Sequence, residues 1–66
     1  DAADSKKDFR FKIALCKMES KETMHWLRMI AHACPDKRDE CRRLFKEAQE
    51  FVFIFSSIIG KSRIKK

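Results

Sequence analysis

The chain has 66 residues, with 16 Lys and Arg against 10 Asp and Glu, six Phe, one Trp, one Gly, one Pro and no Tyr. A unit this small buries only about 60 % of the surface that its unfolded form exposes, so by itself it is marginal unless something staples it. The composition excludes a turn-rich β protein, and three Cys without a C-x-x-C pair exclude a disulfide framework, which leaves reduced thiols in the cytoplasm and oligomerisation as the route to stability.

Residues 1–4, DAAD, are short and polar and are expected to fray. Ser5 then begins an S-x-x-D start signal, in which its hydroxyl accepts a backbone N–H and Asp8 reaches back. From there a helix is predicted over about 6–33. Phe9, Ile13, Cys16, Ser20, Thr23, Leu27, Ile30 and Cys34 alternate spacings of 4 and 3, the seam of a helix that packs lengthwise against another. Ser20 and Thr23 keep the middle of that seam small, and Trp26 and Met29 widen it to one side.

Pro35 ends the helix, because it lacks an N–H and disfavours the helical region for Cys34. Asp36 is placed to cap a second helix over about 37–62, with Asp39 and Glu40 in its first turn where the dipole favours acids. The second stripe is Cys41, Leu44, Phe45, Ala48, Phe51, Val52, Phe55, Ile58 and Ile59. Two helices of equal length with a short connection predict an all-α antiparallel hairpin over residues 5–62, with a basic tail at 63–66.

The run FVFIFSSIIG, 51–60, is too apolar for one face. At about 100° per residue, Phe53 lies some 140° from Ala48 and Ile54 some 120° to the other side, so neither meets the first helix. Phe51, Phe53, Ile54, Ile58, Trp26 and Met29 are therefore the candidates for an interface between chains.

S5-K-K-D-F9, Lys12 and Ile13, then E19-S-K-E22-T23-M-H-W26-L27-R28, L44-F-K-E47-A48-Q-E50 and I54-F-S-S-I-I59 together resemble the four-helix-bundle family encoded in intervening sequences of bacterial 23S rRNA genes. The resemblance runs over nearly the whole chain but matches the second half of that bundle only, its third and fourth helices. It implies an up-and-down bundle assembled into a ring, typically a homopentamer, with no enzyme activity. It also extends to the accessory protein of diversity-generating retroelements, whose basic pentamer binds nucleic acid and a reverse transcriptase; RNA or DNA, and such an enzyme, are the partners it implies. The chain is then expected to be a fragment, or a truncated member that borrows its missing half, and Phe53 stands where that family usually carries Lys.

Other chemistry has little foothold. Glu22 and His25 form an E-x-x-H pair of the ferritin-like di-iron kind, but with Thr23 taken as inward they point about 100° and 160° away. His25, His32, Cys34 and Cys41 lack zinc-ligand spacing, and the three Cys read as small apolar seam residues. No nucleophile, acid–base pair or phosphate loop is evident, so no catalytic residue, metal or cofactor is assigned. Of the 16 bases, Lys61, Arg63, Lys65 and Lys66 lie beyond the last acid, Glu50, and are the nucleic-acid-binding candidates. The ten-residue apolar run falls short of the roughly 20 residues that span a bilayer, and a Phe-rich helix docking on anionic lipid is the weaker reading. The expected function is a self-associating helical bundle subunit that binds nucleic acid through an assembled basic surface. The alternative is a protein–protein interaction module that completes a four-helix bundle with a missing N-terminal half or another chain.

Overall fold

Alternating apolar residues at helical spacing on both sides of one proline produce two long helices and nothing else among the described residues. The computed structural model describes the backbone over residues 2–64 and side chains over 5–61. Helix α1 spans Ala2–Ala33, a 3-10 turn spans Pro35–Lys37, and helix α2 spans Arg38–Ile64. The helices lie antiparallel: Ser20 and Phe51, Thr23 and Ala48, and Leu27 and Leu44 line one groove, so the chain numbers run in opposite directions across it. The result is a slab of 50 × 18 × 11 Å.

Helix α1 starts at Ala2, not at residue 6, so Ser5 lies inside the helix and the expected capping box is not used as a start. Asp8 instead pairs with Lys12 one turn on, at 3.0 Å, an exposed contact worth less than about 1 kcal/mol. Helix α2 runs to Ile64, so residues 63 and 64, expected in a separate tail, are helical in backbone. The expected sites Lys65 and Lys66 lie outside the described residues.

The connection is tighter than a free loop. The Cys34 N–H donates to the Ile30 carbonyl at 2.7 Å, and the Lys37 N–H donates to the Cys34 carbonyl at 2.9 Å. Pro35 opens the 3-10 turn at a position whose N–H would have no partner. Asp36 is consumed inside this turn and does not cap α2, a difference that follows from the extra turn of 3-10 helix between the proline and Arg38. Asp39 and Glu40 do stand in the first turn of α2, as the dipole favours.

The interior is thin. Leu27, Cys41 and Ala48 are the buried apolar residues among those described. On α1 the half-buried or buried positions are Ile13, Lys17, Ser20, Met24, Leu27 and Ala31, with the small Ala14 beside them. Ile13, Ser20 and Leu27 belong to the expected seam, but its other column shifts by one residue, from Cys16, Thr23 and Ile30 to Lys17, Met24 and Ala31. That shift turns the helix by about 50° at 100° per residue. Phe9, Cys16, Thr23, Ile30 and Cys34, expected inside, are exposed.

Candidate functional site

The turn of α1 divides the slab into two unlike faces. On one side the groove between the helices is lined by Ser20, Thr23, Leu27, Leu44, Glu47, Ala48 and Phe51. Thr23 and Ile30 of α1 border it, and α2 continues it through Phe51 and Ile54. The Thr23 hydroxyl donates to the Glu19 carbonyl of its own helix at 3.0 Å, which satisfies the hydroxyl. Phe51 stacks on the half-buried Phe55, with ring centroids 6.0 Å apart, and is held in place while its outer surface stays in water. Leu44, Phe51, Ile54 and Ile30 are all exposed. This is an apolar face.

A second apolar strip runs along the edge of α1 away from α2. Phe11, Leu15, Met18, Trp26 and Met29 are all exposed, and Phe11 is 62 % exposed. Their spacing, with Glu22 between, is again that of one helix face. Trp26, held edge-on by the His25 ring at 5.5 Å, stands at the corner between the edge strip and the apolar face. Among the expected interface residues, Phe51, Ile54, Trp26 and Met29 lie on these two surfaces. Ile58 is half-buried within the hairpin, and Phe53 falls on the opposite side of α2. Phe11, Leu15 and Met18 were not expected at an interface, although their 4 and 3 spacing is plain in the sequence.

The opposite face is basic. Leu27, Arg28, Ala31, His32, Arg38, Cys41, Arg42 and Phe45 line one stretch of it, and Lys21, Met24, His25, Arg28 and Phe45 the next. The Arg28 guanidinium lies 5.4 Å over the Phe45 ring, a cation–π contact that fixes its position. Helical spacing adds Arg10 and Lys17 from α1 and Lys46 from α2 to the same side. The acids of α1 between residues 5 and 33, Asp8, Glu19 and Glu22, all project from the other side. Arg42 pairs with Asp39 at 3.6 Å, and Lys37 with Glu40 at 3.9 Å. Arg10, Lys17, Lys21, Arg28, Arg38 and Lys46 make no ion pair among the described residues.

The terminal bases contribute less that can be placed: Lys61 is exposed on α2, Arg63 is helical in backbone, and Lys65 and Lys66 are outside the described residues. Glu22 and His25 are both exposed, and among the described residues no three His, Cys, Asp or Glu side chains converge as a metal ion would need. Cys16 and Cys34 are exposed free thiols, contrary to the seam reading, and Cys41 alone is buried. No described helix is long and apolar enough to cross a membrane. Neither a protein-family model, nor a curated protein, nor a solved structure matches this chain.

Proposed function

We propose that the hairpin is a non-enzymatic, self-associating subunit of a helical bundle, whose assembled basic surface binds nucleic acid. The observation that supports self-association is the surface left uncovered. The molecule exposes 5674 Å², whereas a folded monomer of 7.9 kDa is expected to expose about 4,400 Å². The excess of about 1,250 Å² is larger than the roughly 800 Å² that each partner contributes to a standard interface. The exposed surface includes Leu44, Phe51, Ile54 and Ile30 on one face and Phe11, Leu15, Met18 and Met29 along one edge.

Two copies meeting through their apolar faces would make a four-helix bundle and cover Leu44, Phe51, Ile54 and Ile30. The edge strip of Phe11, Leu15, Met18 and Met29 points away from that contact and calls for another. An assembly larger than a dimer therefore fits both surfaces, in keeping with the pentameric ring that the family resemblance implies. The basic faces would be left outward, where their charges add up.

Light scattering across a range of concentrations tests the reading. A mass of several chains is expected. A stable, fully folded monomer at all concentrations would overturn it, and an unfolded monomer that becomes helical only with another chain would transfer the same apolar surfaces to a hetero-bundle.

A further inference from the structure

We infer that the basic face of the hairpin is a binding surface for single-stranded nucleic acid, with Phe53 as the platform on which a base stacks. The inference rests on the nucleic-acid part of the proposed function. It moves the site from the C-terminal bases to the body of the slab.

The first support is the layout of charge. Arg10, Lys17, Lys21 and Arg28 form a line on α1 about 27 Å long at about 1.5 Å per residue. Arg38 and Lys46 flank it on α2, and none of the six is neutralised by an acid among the described residues. The neighbouring acids are Asp39, already paired to Arg42, and Glu50, which is one helical turn from both Lys46 and Phe53 and lines a hollow with Glu47, Phe51 and Ile54 on the other side of α2. Arg28 lies over the Phe45 ring at 5.4 Å and is exposed, and its guanidinium is a fork suited to phosphate oxygens. A row of cations without ion pairs along one side of a helix pair matches a linear string of phosphates.

The second support is Phe53. It is 73 % exposed, the most exposed large apolar side chain among the described residues. Its helix neighbours three and four positions away are Gln49, Glu50, Ser56 and Ser57, all polar, so it belongs to no apolar patch of its own helix. It follows Arg42, Lys46 and Gln49 along one line of α2. A lone flat ring beside a line of bases is the pairing that single strands use, because a base has a face to stack while the backbone follows the charges. A duplex keeps its bases inside and offers Phe53 nothing.

A lipid surface fits less well. A hairpin immersed by its apolar face would aim these bases away from the headgroups, and the basic face itself has one exposed large apolar residue.

The test is fluorescence anisotropy with a labelled oligothymidylate and a labelled duplex, from about 50 to 200 mM salt, on the full chain with its mass measured alongside. The single strand is expected to bind more tightly than the duplex. Lys17→Gln with Lys21→Gln should lower the salt slope for the single strand by about 1.4, at about 0.7 for each phosphate no longer neutralised. Phe53→Ala should weaken single-strand binding roughly five- to 150-fold and leave duplex binding unchanged. Lys61→Gln with Arg63→Gln should change the slope less than the face pair does. The inference is overturned if the tail pair abolishes binding while the face pair leaves the slope intact. It is also overturned if Phe53→Ala is neutral, if polyglutamate competes as well as the single strand, or if only phosphatidylserine vesicles bind. A monomer that still binds with these variant effects would sink the self-association reading alone. An oligomer that binds no oligonucleotide would sink this inference alone.

Discussion

Leu27 and Ile30 are both apolar, three residues apart, and belong to the same expected seam, yet their surroundings differ. Leu27 is 9 % exposed and touches both grooves of the hairpin, whereas Ile30 faces water beside the apolar groove. Leu27→Ala should cost about 2–3 kcal/mol, toward the lower end for core Leu truncations because so thin an interior can collapse around the gap. Ile30→Ala should cost less, no more than about 1 kcal/mol in dilute solution, because Ile30 keeps 45 % of its surface in water in the hairpin. Urea unfolding at low concentration measures both, and equal losses would mean that the seam is not turned as described. Ala48 and Ser20 are where the expected seam and the packing agree: both are small, both line the groove at mid-length, and Ala48 is buried and Ser20 half-buried.

At the scale of the element, α2 runs through Gly60 without a break. A Cβ built there meets no atom within 4 Å. Gly60→Ala should therefore stabilise the hairpin by about 0.5–1 kcal/mol, by removing backbone entropy from the unfolded chain without a clash. A rise in the urea midpoint with unchanged slope would show it, and a fall would mean that this surface is closely covered by another chain in the assembly. The existence, type and order of both helices, and the break at Pro35, were legible from periodicity and a single breaker. Their starts were less so. The Ser5 signal is a local one, and continuing the helical pattern through Ala2–Asp4 outweighs it; the 3-10 turn took up Asp36 before it could cap.

At the scale of the whole molecule, the apolar face is exposed in the single chain, so the proposed self-association makes stability and association one equilibrium. The melting temperature should rise with protein concentration, as it does for any state that binds its own copies. Phe51→Glu, on an exposed ring at the middle of the apolar face, should lower the mass seen by light scattering and remove that concentration dependence, while keeping the helical signal of whatever remains folded. Retention of the wild-type mass would place the interface elsewhere, with the α1 edge at Phe11 and Met18 as the next surface to change.

The sequence by itself determined that two helices form and that they lie antiparallel, because spacing and a proline are local properties that no partner alters. It also determined that one hairpin cannot cover all of Phe51 to Ile59, since Phe53 and Ile54 both lie well over 90° from the stripe that meets α1, about 140° to one side of Ala48 and about 120° to the other. Only the tertiary structure decided how far α1 turns about its axis. Two columns of α1, Cys16–Thr23–Ile30 and Lys17–Met24–Ala31, are both compatible with a seam through Ile13, Ser20 and Leu27. The second brings the aliphatic stems of Lys17 and Met24 onto α2 and is the one found. That choice of about 50° gathers the unpaired bases on one face and the apolar residues on the other, which composition and net charge, being sums over the chain, do not contain.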